Sequence, residues 1–217
     1  MSKPEEPAYY IDKKGGARHL LHAAIRLTLE CEDAFGINLL AQSADKILLD
    51  LLKHKKIDDP MMLEESIVPE RKKEFFRLYR QSFNFLKHAD VDANSKLAVR
   101  NIITANEMLL FANVTRYRRL FSECTVHMQK LFALVTLLHP TLIRWKDMGE
   151  TGEQFLTDRK TFEHMTRHEC IAIIRNSTLN DGQILQEKAT DLKLVYENNS
   201  RLLSGEQNPN TFRISID

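Results

Sequence analysis

The stretch from Ser95 to His139 contains neither proline nor glycine, and this constrains the fold more than any other feature of the chain. Nothing in it forces the backbone out of a helix. One continuous helix over this stretch would be roughly 65 Å long at 1.5 Å per residue, which is longer than a compact domain of 217 residues comfortably holds. The sequence therefore predicts two helices, with a break near Asn113 to Thr115.

The rest of the chain has the same helical character. Only seven Gly and six Pro occur in 217 residues, and the abundant Leu, Ala, Lys, Glu and Arg favour helices. The length suits one substantial core and is short for two independent ones. The sequence contains no internal repeat and no alternation of strands with helices. These features predict an all-α protein, a single-domain bundle of about seven helices.

Prolines, glycines and turn-forming residues mark the predicted segments. Residues 1–16, with two prolines and a Gly-Gly pair, predict a flexible N-terminal arm. The helical domain is predicted over 17–203, with a first part at 17–115 and a C-terminal helical part at 116–203, followed by a tail at 204–217. Within this domain, helices are predicted at 17–32, at 37–54, in the stretch from Arg71 to about His88, in the two pieces of 95–139, around Trp145, at 153–176 and at 183–203. The sequence Asp-Ala-Phe-Gly at 33–36 is expected to close the first of these helices.

Charge and cysteine content narrow the possible environments. With 31 basic and 30 acidic side chains, the net charge is +1, so only local patches could favour nucleic acid. Cys31, Cys124 and Cys170 are widely spaced within apolar helical patterns, which predicts reduced core thiols in a cytoplasmic protein. No apolar run approaches the roughly 20 residues of a membrane span. No membrane partner is expected.

One helical stretch, Arg71 to Asn94, concentrates aromatic and polar side chains. Arg80, Asn84 and His88 follow at four-residue steps, so they share one polar face of the predicted helix. The aromatic residues of the stretch lie on another face and are expected to pack into the core. The polar face is therefore the candidate for chemistry, with His88 in the last turn, where the helix dipole favours a protonated imidazole.

Basic residues interleaved with aromatic ones form candidate RNA-binding patches. Arg77 and Lys87 belong to the patch on this helix. Arg116, Arg118 and Arg119 surround Tyr117 further along the chain. Phosphate contacts and base stacking could use such side chains. The alternative interpretation is a charged solvent face that nearby acidic residues compensate.

The sequence gives little support for metal or nucleophile chemistry. His164 and His168 are four residues apart and could share a metal, but no Glu lies between them as in a zinc-protease motif. None of the three cysteines has a base whose proximity the sequence demonstrates. Gly-rich phosphate loops are absent from the sequence. We therefore predict no metal site and no cofactor.

Residues 82–88, Ser-Phe-Asn-Phe-Leu-Lys-His, resemble the signature of the HEPN family, small helical bundles that include RNA-cleaving toxins and nucleotide-binding modules. Asn84 matches the polar position of that signature and His88 its histidine. The arginine position is occupied by Phe83, and Arg80 is a conceivable substitute on the same face as Asn84. The resemblance covers residues 17–115 at most, and a second partial copy lies at 175–180.

The resemblance implies a metal-independent cleavage of RNA. His88 would act as general acid or base, Asn84 would orient the phosphate, and Arg80 or Lys87 would stabilise developing negative charge. HEPN sites commonly lie between two protomers, so a homodimer is implied. The missing arginine favours a binding or regulatory derivative of such an enzyme, or a protein with no catalysis.

Two functions from different classes follow. The first is a non-enzymatic or degenerate HEPN-like module that binds a partner protein or a small ligand. The alternative is a metal-independent HEPN-like endoribonuclease that uses Asn84 and His88.

Overall fold

The computed structural model describes residues 11–61, 80–87, 94, 96–98, 101–139, 153, 157, 160–177 and 193–195. These residues form an all-α architecture of six α-helices, to which one pair of three-residue strands is added. The elements are α1 (Lys13–Leu29), α2 (Ala34–Lys55), α3 (Gln81–Lys87), α4 (Ile102–Phe121), β1 (Glu123–Thr125), α5 (Val126–Leu138), a 3-10 turn (Lys160–Phe162), α6 (Arg167–Asn176) and β2 (Lys193–Val195). No helix among these described elements is long and apolar enough to cross a membrane.

Aspartate caps set the starts of the first two helices. The Asp12 carboxylate accepts a hydrogen bond from the Gly15 amide at 2.6 Å, so α1 begins four residues before the predicted start and takes residues 13–16 out of the predicted arm. A Cβ at Gly15 would lie 3.0 Å from Ile11, which explains the glycine at this close approach. Asp33 caps Gly36 in the same way at 2.7 Å. The Asp-Ala-Phe-Gly segment thus opens α2 and does not close α1.

The break in the long proline-free stretch lies further along the chain than predicted. Helix α4 runs without interruption through Asn113. The side-chain amide of Asn113 donates to the Ala41 carbonyl at 2.8 Å and so stabilises the packing of α4 against α2. The helix ends at Ser122, which adopts a left-handed conformation with φ of 51°. Thr125 then caps α5 through the Met128 amide. The break predicted near Asn113 is therefore wrong, because this polar residue lies inside the helix and the turn chemistry lies at 122–125.

The hydrophobic core lies between α1, α2, α4 and α5. Side chains from all four helices are fully buried there, and each large aliphatic one contributes about 2 kcal/mol through loss of contact with water. Those with no exposed surface include Leu21, Ile25, Leu48, Leu110, Leu131 and Leu134. The helices predicted at 17–32, at 37–54 and in the two pieces of 95–139 are confirmed apart from their ends.

The C-terminal predictions need correction. The predicted helix at 153–176 is interrupted, because a 3-10 turn and a cap at Thr166 precede α6. His164 lies in that interruption and His168 in α6, so the two do not share a helix face. The helix predicted at 183–203 is wrong at 193–195, where β2 pairs in parallel with β1 and Leu194 lies opposite Cys124. The helix expected around Trp145 and the tail lie outside the described residues.

A stacked imidazole pair joins α1 to the start of α5. His22 is fully buried, and its Nε2 lies 2.8 Å from the Thr125 hydroxyl. Its ring stacks on His127 at a centroid distance of 4.5 Å. Burial, followed by the nearby His127, Arg18, His19 and Arg26, lowers the pKa of His22 to about 3.

We expect the fold to lose stability on acidification because of His22. The unfolded chain binds a proton to this imidazole below its ordinary pKa of 6.5, whereas the folded chain does so only near 3. The free energy of unfolding should therefore fall by up to about 1.4 kcal/mol per pH unit between these values. Urea unfolding at a series of pH values measures this slope. His22→Gln should flatten it, and Ile173→Ser, an exposed substitution without a titrating group, should leave it as in the wild type. Equal slopes in wild type and His22→Gln would contradict the assignment.

Candidate functional site

The predicted HEPN-like stripe lies partly on α3. Arg80 and Asn84 are both exposed, and the Asn84 amide donates to the Arg80 carbonyl at 2.8 Å, so the two residues lie one helical turn apart. Lys87 is exposed, and its ammonium lies 5.5 Å from the centre of the Phe83 ring. His88 and Arg77 lie outside the described residues. Helix α3 contacts α2, but none of its residues is fully buried, and Phe83, expected in the core, is only half-buried.

Arg116, predicted to bind phosphate at the surface, lies in the core. Its side chain is only 1% exposed. The guanidinium donates to Asp45 Oδ1 at 2.6 Å through Nη1, and to both oxygens of Asp59 at 2.9 and 2.8 Å through Nε and Nη2. Asp45 is equally buried and Asp59 is 24% exposed. Both carboxylates hold this guanidinium inside the protein, so the surface location expected for Arg116 needs correction.

The neighbouring bases are distributed differently. Arg118 is half-buried, with its guanidinium 5.7 Å from the centre of the Phe132 ring. Arg119 is exposed, and Tyr117 is fully buried beside Phe121. The three arginines therefore do not form a common surface with an accessible tyrosine. Of the three arginines, only Arg119 is exposed.

A cavity of about 330 Å³ lies where three elements meet: the α1–α2 turn, the N-terminus of α4 and the N-terminus of α6. Most of the surface that lines it is apolar, with Ile37 and Ile171 buried and Ile103 52% exposed at the rim. The remaining lining residues are Thr28, Cys31, Glu32, Ala34, Asn106, Thr166, Arg167 and His168. None of them was predicted as a binding residue. The cavity therefore does not coincide with any of the sites predicted from the sequence.

The rim of the cavity carries a thiol and an imidazole. Cys31 Sγ lies 4.0 Å from His168 Nδ1, and both side chains are exposed. Cys31 follows the last turn of α1 in a left-handed conformation, with φ of 58°. Its amide donates to the Thr28 carbonyl and the Glu32 amide to the Leu27 carbonyl, which is the Schellman pattern that usually has Gly at this position. Cys124 and Cys170 are buried as predicted, whereas Cys31 is not a core thiol.

Two polar groups beside the cavity are fixed by internal hydrogen bonds. The fully buried Glu107 carboxylate accepts hydrogen bonds from the Arg167 guanidinium and from His139 Nε2, the latter at 2.8 Å. The Asn106 side chain donates to the Ala34 carbonyl at 2.7 Å and accepts from Asn38 at 2.8 Å. The first contact holds α6 on α4, and the second holds α4 on α2. The cavity wall is therefore preorganised.

The chemistry available at this site is that of a thiol next to a potential base. An imidazole within reach of a thiol can accept its proton as the sulfur attacks, and such pairs are often looser without a ligand bound. Burial raises the pKa of both other cysteines, Cys124 and Cys170, which keeps them as neutral thiols. Within the described ranges, no three His, Cys, Asp or Glu side chains converge to hold a metal ion.

One part of this site could have been found from the sequence. Thr166 and Glu169 form a capping box, in which each side chain bonds the backbone of the other, and a Thr-x-x-Glu pattern predicts such a helix start. A helix beginning at Arg167 would have placed His168 in its first turn. The partnership with Cys31 has no local signal, because 137 residues separate the two.

No family model, curated protein or solved structure matches the chain. The resemblance to HEPN domains stays a prediction that depends on the motif around Asn84 and His88.

Replacing Arg116 with Ala should strongly destabilise the protein. The substitution leaves the buried Asp45 without its cation, and breaking a buried pair in this way costs about 3–5 kcal/mol. Urea denaturation of the purified variant measures the loss. The matched control is Lys46→Ala, which breaks the exposed i,i+4 pair with Asp50 and should cost less than about 0.5 kcal/mol. Similar losses in the two variants would contradict the buried role of Arg116.

Proposed function

We propose that this chain is a non-enzymatic, HEPN-like helical module that binds a small apolar ligand in the cavity between the α1–α2 turn, α4 and α6. The observation that carries the proposal is the cavity itself. It is concave, mostly apolar and bordered by a few polar groups, as ligand sites generally are.

The size and lining of the cavity favour a small molecule over a protein segment. Its volume of about 330 Å³ is at the lower end of the range for ligand pockets, roughly 300–1,000 Å³. Ile37 and Ile171 offer apolar surface in its interior, and Ile103 extends that surface to the rim. The Arg167 charge is balanced by Glu107, so the cavity does not select an anion. A ligand with a short hydrocarbon chain and one polar end fits these properties.

Binding of 2-nonanone, a saturated ketone with a short hydrocarbon chain, tests this function. Isothermal titration calorimetry should detect one site in the wild-type protein. Ile103→Ser removes apolar surface at the rim without disturbing the core, and we expect about tenfold weaker binding, since 1.4 kcal/mol corresponds to a factor of ten.

The matched control is Ile173→Ser. Ile173 is 39% exposed and is not part of the cavity lining, so this variant should bind 2-nonanone as the wild type does. Absence of binding to the wild type, or equal weakening in both variants, would overturn the proposal.

The second candidate function is a metal-independent HEPN-like endoribonuclease. The observation that favours it is the exposure of Asn84 on α3 and of Arg80 one turn before it, directly ahead of the helix. In this function His88 transfers the proton, Asn84 orients the phosphate, and Lys87 or Arg80 stabilises the developing charge. Arg77 and Arg119 would add phosphate contacts, and a homodimer would form the cleft.

Single-stranded RNA incubated with the protein and a chelator separates the two functions. The binding module leaves the RNA intact, whereas the endoribonuclease cleaves it and loses the activity in Asn84→Ala and His88→Ala. His164→Ala, which changes an exposed histidine that is not part of α3, is the matched control and should cleave as the wild type does. Light scattering on the same samples reports whether the dimer forms. Chelator-resistant cleavage that depends on Asn84 and His88 would establish the enzyme.

A further inference from the structure

The thiol of Cys31 differs from the two other cysteines of the chain. Cys124 and Cys170 are 5% and 4% exposed, whereas Cys31 is exposed at the rim of a cavity and faces an imidazole nitrogen at 4.0 Å. A solvent-accessible thiol beside both a base and an apolar binding space has the three components that a covalent reaction with a bound ligand needs.

We propose that Cys31 and His168 capture small apolar α,β-unsaturated carbonyl compounds as a covalent thioether. The proposal rests on the function proposed above, because the cavity must first hold the hydrocarbon part of the compound. It adds the chemical class of the ligand and the two residues that react with it.

The reaction is an addition that balances without any further reactant. His168 accepts the proton of the Cys31 thiol as the sulfur forms a bond to the β-carbon of the ligand. The π electrons of the carbon–carbon double bond move toward the α-carbon and the carbonyl oxygen. The α-carbon then takes the proton back from His168. The net change is addition of S–H across the double bond, with no oxidation and no leaving group.

The surroundings of Cys31 favour a carbon electrophile over the other partners of a thiol. A metal ion would need more donors, and no third His, Cys, Asp or Glu joins Cys31 and His168 within the described part of the chain. A polar disulfide would not use the apolar surface of Ile37, Ile103 and Ile171, because polar groups placed against that surface lose their hydration. A hydrocarbon chain that carries an enone has only one polar group, the carbonyl, so its desolvation in the cavity costs little.

The backbone provides a thiol-free variant that should fold. Cys31 is in the left-handed region at a position where Gly is usual, and this conformation costs a residue with a Cβ roughly 1–2 kcal/mol. Cys31→Gly should therefore melt no lower than the wild type while lacking the thiol. Lys56→Gly is the matched control, since Lys56 has φ of 54° at the end of α2 and lies outside the cavity lining.

The experiment follows adduct formation by 3-nonen-2-one with intact-protein and peptide mass spectrometry, using 3-buten-2-one as the short-chain comparison. We expect Cys31 to react at least tenfold faster than Cys124 and Cys170. The ratio of the rate with the long enone to the rate with the short enone should also be higher for Cys31 than for free cysteine in solution. His168→Gln should slow the reaction at Cys31 about tenfold or more, with His164→Gln unchanged. Cys31→Gly should form no adduct at this position, and Lys56→Gly should react as the wild type does.

The outcomes separate this inference from the proposed function. Suppose that 2-nonanone binds, but Cys31 reacts at the rate of free cysteine or reacts without dependence on His168. This result overturns the covalent capture and leaves the binding function in place. Absence of 2-nonanone binding overturns the binding function, and the covalent capture with it. Faster labelling of Cys124 or Cys170 than of Cys31 also overturns the capture.

Discussion

The guanidinium of Arg116, buried between the carboxylates of Asp45 and Asp59, is the contact that the rest of the structure depends on. A charge buried in this way is tolerated only with its partners in place, so it limits how α4 can rotate or slide against α2. The same interface carries hydrogen bonds from Asn113 to the Ala41 carbonyl and between Asn38 and Asn106. Polar contacts therefore recur along the first half of α2, from Ala34 to Asp45, and together they fix one register between the two helices.

That register positions the cavity. The hydrogen bonds of Asn106 with Asn38 and with the Ala34 carbonyl hold the start of α4 against the start of α2. The adjacent Glu107 holds Arg167 at the beginning of α6. The cavity is the space left between these fixed helix ends and the turn that follows α1. Its shape is thus set by buried polar contacts on one side and by isoleucine packing on the other, which suits recognition of an apolar ligand with little rearrangement.

Periodicity and composition were sufficient to predict the helical class and the existence of α1, α2, α4 and α5, because each of these buries an apolar face that recurs along the chain. They could not identify the partners of polar residues. Arg116 lies in a basic cluster, Arg-Tyr-Arg-Arg, and its carboxylate partners are 71 and 57 residues away, so it was predicted at the surface. The strand at 193–195 depends on pairing with β1, which no local pattern encodes. The four-residue spacing of Arg80 and Asn84 corresponds to one helical turn, whereas their role in a shared site with His88 stays a prediction.

The separation of Cys31 and His168 along the chain has a consequence for the order in which the protein is made. A ribosome produces the N-terminal helices first, so α1 and its thiol leave the ribosome long before the residues that form α6 have been added. During that interval the sulfur has neither its base nor a cavity beside it. Any reactivity that depends on the pair begins only when the C-terminal part has docked, which makes the chemistry of this cysteine a property of the finished molecule.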